Sequence, residues 1–243
     1  MIEFNRCYFI DCLNEENGLP YLAKLIENGE MEKIDLGLTD YPYNLGKSSQ
    51  YAYACYNMKF RQKMSRYEDK MKPSEYQEFC FKIFDLLKII CKSIVFTCGY
   101  KNKQMWIKKR KEKFDELIWV NHHKRGATKI SQYTWYEPIL VYGKLNYKFK
   151  KNVLEYNHGF NMKFDYTNLI HPHPKPRELY KWIIESTRTK SVIDPMVGSG
   201  TVLEVCLMLE IPCICYEIEE TYEHDIDLRV KGANRFLSQK GMF

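Results

Sequence analysis

The 243 residues can bury one large α/β core without a division into two domains. Nine cysteines in no paired framework argue against a disulfide scaffold, and an aromatic share of 15% suits a protein that stacks on flat ligands. No leader-like stretch and no apolar run of about 18 residues occurs, which argues against secretion and membrane spanning, and unpaired cysteines in apolar patterns suit a cytoplasmic protein.

In chain order, residues 7–11 read as a short strand ending in Asp11, 17–32 as a helix and turn, and 33–40 as a strand ending in Asp40. The polar, tyrosine-rich stretch 45–73 reads as an insertion. Ser74 can cap a helix whose Phe79, Ile83, Leu87 and Ile90 share one face. Residues 93–99 form the next strand, and a basic helix follows to about Lys113. Two further strands cover 117–121 and 138–142, and 144–168 reads as a loop. Pro176 opens a helix through Leu179, Trp182 and Ile183. Strands alternating with helices predict a doubly wound, mostly parallel α/β sheet. The net charge of +6 is concentrated: residues 101–151 hold 14 Lys/Arg against 4 Asp/Glu, a pattern that suits a polyanion-facing surface. The Cys213-x-Cys215, His122-His123 and His171-x-His173 pairs supply no four-ligand set at zinc spacing, so no metal is expected.

The most informative segment is Ser191-Val-Ile-Asp194-Pro195-Met196-Val-Gly198-Ser199-Gly200-Thr201. An apolar strand enters a glycine turn, and Val202, Val205, Cys206 and Leu209 then repeat at helical spacing. Such a junction aims backbone N–H groups and a positive helix end at a ligand. Residues 213–218 read as the next buried strand. There Glu217, 19 positions after Gly198, stands about where an acid meets ribose hydroxyls in nucleotide-binding α/β folds. The third glycine of the dinucleotide fingerprint is missing. A second signal is Asp40-Tyr41-Pro42-Tyr43, an acid at a strand end followed by a rigid aromatic turn.

Together these segments resemble the S-adenosyl-L-methionine-dependent amino-methyltransferases of DNA bases. Asp194 to Thr201 is similar to their cofactor loop and Asp40 to Tyr43 to their catalytic loop. Residues 170–179 are similar to the segment leading into a cofactor-side helix. Catalytic loop first and cofactor loop last is the order of the β group, a circularly permuted, Rossmann-like arrangement. The resemblance runs from Asp11 to about Glu220 and implies a single methyltransferase domain over 1–243, with DNA-facing insertions within 45–73 and 101–168. It implies that Asp40 and the Tyr41 carbonyl accept the two hydrogens of an exocyclic amine. Pro42 would fix the turn, and Tyr43 would stack on a base that has left the duplex. Trp135 and Tyr136 would form the opposite wall.

Around the cofactor, the resemblance implies contacts from Asp194, Pro195, Met196, Gly198, Ser199, Gly200 and Thr201. Glu217 would take the ribose, Asp11 the adenine amine, and Lys175 the carboxylate. Two positions depart from the family pattern: Tyr41 and Met196 stand where a proline and an aromatic are usual. The glycine-rich turn usual before the 93–99 strand is replaced by Ile90-Cys-Lys-Ser93. The implied partner is double-stranded DNA, which allows a nucleoid-associated place in the cytoplasm, and a homodimer and a cognate restriction endonuclease are left open. Adenine N6 is the favoured acceptor, with cytosine N4 as the alternative. RNA modification and a non-enzymatic DNA-binding module stand further off.

Overall fold

Ile34–Asp40 is buried at every residue but the last, as a strand covered by helices on both faces must be. Among the described residues it is the second of eight strands in one sheet. The structure is a computed structural model and describes residues 2–44, 70–121, 135–156, 169–171 and 174–240. In chain order the strands are β1 (Arg6–Phe9), β2 (Ile34–Asp40), β3 (Cys91–Thr97), β4 (Asp115–Val120), β5 (Tyr136–Gly143), β6 (Val153–Glu155), β7 (Val192–Asp194) and β8 (Cys213–Glu217). The helices are α1 (Leu19–Glu27), α2 (Pro73–Ile90), α3 (Gly99–Lys109), α4 (Arg177–Thr187), α5 (Thr201–Met208) and α6 (Glu223–Lys240). None of the described helices is long and apolar enough to cross a membrane.

The strand order is β1-β8-β7-β2-β3-β5-β4-β6. Pairing is parallel except where β5 runs against β3 and β4. The expected mostly parallel α/β sheet is therefore present. Apolar residues of α1, α2 and α3 pack one face, around Leu22, Phe84 and Trp106. Those of α4, α5 and α6 pack the other, around Ile183, Val202 and Ile226. On the first face Gly37 brings α2 close to β2: a Cβ there would meet Cys91 Sγ at 3.2 Å and Leu87 Cδ2 at 3.6 Å.

Several boundaries differ from the sequence reading. Lys72, not Ser74, precedes α2: Pro73 opens the helix, and the Lys72 N–H donates to Glu75 Oε2 at 3.4 Å. The Ile90-Cys-Lys-Ser93 segment holds no turn, because Cys91 at the end of α2 is already extended and begins β3. Helix α3 stops at Lys109 rather than Lys113. Arg110 turns extended there, and its guanidinium bonds Asp85 and Glu112. The stretch expected as a loop contains β6, which pairs with β4 although only three residues long. The last helix, α6, lies beyond the reach of the family resemblance and contributes Asp225 and Arg229 to the site.

Candidate active site

The order β7-β2 makes Asp194 and Asp40 the carboxyl-terminal residues of neighbouring parallel strands, with Gly37 registered against Ile193. The two signal segments, far apart in sequence, therefore open at one edge of the sheet. In doubly wound sheets the cleft beyond the carboxyl ends is where ligands lie.

At the end of β7 the chain leaves the sheet through a tight turn. The Met196 N–H donates to Asp194 Oδ1 at 3.0 Å, and the Val197 N–H donates to the Tyr216 carbonyl at 2.9 Å. Gly198 and Gly200 hold φ +55° and +82°, in the left-handed region that favours glycine. A Cβ on Gly198 would stand 2.9 Å from His171 Nε2, so this turn requires glycine on two grounds. Helix α5 then starts at Thr201, directly after the Gly200 N-cap, so its positive end lies at this turn. Glu217, at the end of β8, accepts the Gly198 N–H at 2.8 Å and the Glu219 N–H at 2.9 Å. Pro195 and Met196 lie in the same turn. Asp11 follows β1, next to β8, and accepts the Leu13 N–H at 2.8 Å in an exposed local turn.

Burial pushes the Asp194 carboxyl up to about 8, although the Met196 N–H works the other way. Burial raises Glu217 as well, opposed by its backbone donors. Behind the turn, Arg229 of α6 and Glu204 of α5 form a fully buried ion pair of 2.5 Å, and Arg229 also donates to Ser199 Oγ at 3.2 Å. Asp225 of α6 accepts the Ile170 and His171 N–H groups at 2.8 Å each, which holds His171 over Gly198. The His171 ring also packs on Tyr222, with centroids 4.6 Å apart.

At the end of β2 Asp40 is engaged at both oxygens. Thr97 Oγ1 donates to Oδ1 and Lys175 Nζ to Oδ2. The Tyr43 hydroxyl donates to Glu137 Oε2, and Lys175 Nζ stands 3.0 Å from that hydroxyl and 3.8 Å from Glu137 Oε2. Burial raises the Tyr43 phenol well above its ordinary value, and the charges of Asp40 and Glu137 add to this, so it stays a neutral donor. The turn itself is pinned from α2 and α3. Tyr76 donates to the Pro42 carbonyl at 2.6 Å and Asn102 to the Tyr43 carbonyl at 2.9 Å. The Tyr41 side chain is fully buried against Phe96 and Trp106, with centroids 5.2 and 5.0 Å away. That packing is what tyrosine offers at a position where proline is the family's usual residue. Its hydroxyl has no hydrogen-bond partner among the described residues.

The structure thus gathers Asp40, Tyr43, Asp194, Gly198, Gly200, Thr201 and Glu217 at one edge. Lys175 links the two strand ends: its carbonyl accepts from Thr201 Oγ1 at 3.4 Å, and its ammonium donates to Asp40 Oδ2. Trp135 is half exposed and Tyr136 packs edge-on to Tyr100 at 5.6 Å. Thr97, Glu137, Asn102 and Arg229 were not singled out as site residues. For Glu137 a signal existed, an acid set in the apolar run of β5. Residues 45–69, expected as part of an insertion, residues 122–134 and 157–168, and His173 lie outside the described residues. Among the described ones no cluster of His, Cys, Asp or Glu is placed to hold a metal.

Solved structures share this fold. PvuII DNA methyltransferase (cytosine-N4-specific) superposes with a TM-score of 0.63 at 17% identity, over 89% of this chain and 90% of that one. M1.HpyAVI gives 0.56 at 17% identity, over 93% and 98%. TTHA0409 from Thermus thermophilus, a putative DNA modification methylase solved with S-adenosyl-L-methionine, gives 0.54 at 14%, over 94% and 95%. A search of curated proteins returns no match. The family model for N6/N4 methyltransferases, described as DNA methylase, matches residues 34–227, from the start of β2 into α6. On that match, which takes in both halves of the cleft, the chain belongs to the N6/N4 DNA methylase family.

Proposed function

We propose that the protein transfers a methyl group from S-adenosylmethionine to the exocyclic N6 amine of adenine in double-stranded DNA. The observation that carries this reading is the adjacency of Asp40 and the glycine turn at the ends of β2 and β7. The left-handed glycines and the donor-rich start of α5 fit the methionine end of that cofactor, and the Glu217 carboxylate fits its ribose hydroxyls. Pro195, Met196, Ser199 and Thr201 shape this half of the cleft, and Asp11 would meet the adenine ring. Bound there, the cofactor supplies an electrophilic methyl carbon on a sulfonium.

The chain's own contribution is positioning. An exocyclic amine is a weak nucleophile because its lone pair is delocalised into the ring. Asp40 and the Tyr41 carbonyl would take its two hydrogens and turn the lone pair toward the methyl carbon. Tyr43, fixed through Glu137 and Asn102, offers a face for the flipped base. Exposed Lys101, Lys108 and Lys109 on α3 present positive charge to phosphates.

The acid at the first catalytic position favours adenine, because in the family that acid is commoner among members acting there. Cytosine N4 is the second reading, since a cytosine-N4-specific enzyme shares the fold. Mass spectrometry of nucleosides from DNA and from RNA, each incubated with protein and labelled cofactor, decides between them. N6-methyladenine is expected; N4-methylcytosine alone would overturn the choice of base, and label entering only RNA would overturn the choice of substrate.

A further inference from the structure

Lys175 is buried, and its ammonium stands against Asp40. Its nitrogen bonds Asp40 Oδ2, lies 3.0 Å from the Tyr43 hydroxyl, and sits 4.8 Å from the centre of the Tyr43 ring. These are the contacts that an amine gripped by Asp40 and stacked on Tyr43 would make. A cation is the wrong neighbour for the reaction, however. Methyl transfer moves positive charge from sulfur to the amine nitrogen, and an ammonium on the same carboxylate opposes that movement in a buried site. The pocket holds a second carboxylate. Glu137, also buried, has its Oε2 3.8 Å from the same ammonium and is already tied to Tyr43.

We propose that Lys175 is a positioning residue that stands in for the target amine in the free protein and passes its ion pair from Asp40 to Glu137 when the base enters. The inference rests on the reading of Asp40 as the amine acceptor and extends it to how the pocket is kept ready. No covalent bond changes in the shift, and one ammonium shared by two carboxylates keeps the pocket's charge constant while a neutral base arrives. The ammonium is never left buried without a partner, which is the costly alternative. Until then Asp40 and Tyr43 are held in place by a group of matching hydrogen-bond character.

Three variants test this: Glu137→Gln, Lys175→Met, and the two combined. The glutamine keeps an acceptor for Tyr43 but removes the charge that would receive the ammonium. For Glu137→Gln, single-turnover methyl transfer should fall roughly tenfold or more. DNA affinity with S-adenosylhomocysteine bound, read by fluorescence anisotropy, should weaken, while cofactor affinity stays unchanged. Adding Lys175→Met should recover much of both losses, because no cation then blocks Asp40. A merely structural role predicts the opposite, a double variant as poor as Glu137→Gln or poorer, and that result overturns the proposal. So does a Glu137→Gln protein with wild-type rate and affinity. Should the methionine variant fail to fold by circular dichroism, Lys175→Gln serves in its place. Asp40→Ala separates the two layers: wild-type transfer there would sink the amine-acceptor reading itself, whereas a dead Asp40→Ala with no rescue in the double variant sinks only the lysine shift.

Discussion

The two halves of the cleft are built by different means. The half proposed for the cofactor is a backbone structure: a turn of left-handed glycines, a helix start, and a carboxylate holding the Gly198 N–H, all within about 25 residues of chain. The target half is a side-chain structure assembled from β2, β3, β5 and the segment before α4, in which Asp40, Thr97, Glu137, Tyr43 and Lys175 hold one another. Backbone sites tolerate most side-chain changes but not a change of conformation. Side-chain networks answer to single substitutions, because removing one member leaves buried polar groups unpaired.

Substitutions on each side break or sharpen that contrast. The largest effect is expected from Asp40→Ala, a loss of transfer on the order of 1,000-fold with cofactor affinity kept within a few-fold, read by labelled methyl incorporation and calorimetry. If both were lost together, the halves would not be separable. Arg229→Met should leave Glu204 buried beside a weaker partner, Arg177 at 3.5 Å. It should destabilise the protein by about 3 kcal/mol in urea unfolding and loosen the glycine turn through Ser199. A change under about 1 kcal/mol would show that the ion pair does not support the turn.

Asp194 gives the comparison a pH axis. Its folded-state pKa of about 8 lies above the unfolded carboxylate value, so folding favours the protonated form. The stability this brings is full below about pH 4 and is lost progressively as pH rises toward 8. Asp194→Asn should therefore remove a decline of order 1 kcal/mol per pH unit over that window. Thermal unfolding at pH 5 and pH 8 measures it, and parallel curves for variant and wild type would contradict the assignment. The smallest effect concerns Tyr41, whose ring packs the core while its hydroxyl is unpaired among the described residues. Tyr41→Phe should be neutral or stabilise by about 1 kcal/mol, and a clear loss in urea unfolding would mean that the hydroxyl has a partner after all.

Much of this molecule could be read from local pattern. The β-branched strand before Asp194, the glycine spacing, the helical repeat after Thr201 and the acid at Glu217 are all short-range features, and each falls where expected. The boundaries that shifted were decided by tertiary partners. Arg110 ends α3 because Asp85 and Glu112 are there to bind it, and the three residues of β6 form a strand only because β4 offers an edge. Helix α6 carries few apolar residues, and what marks it as part of the site is the burial of Arg229 and Asp225.

The sequence by itself determined the fold class, the two loops and the identities of the acid, the aromatic and the glycines, because backbone conformation and strand burial follow from neighbouring residues. Only the tertiary structure decided that β7 lies beside β2, and that the Lys175 ammonium pairs with Asp40. Which carboxylate a buried ammonium pairs with depends on which strand ends converge around it, and that is a property of the whole sheet.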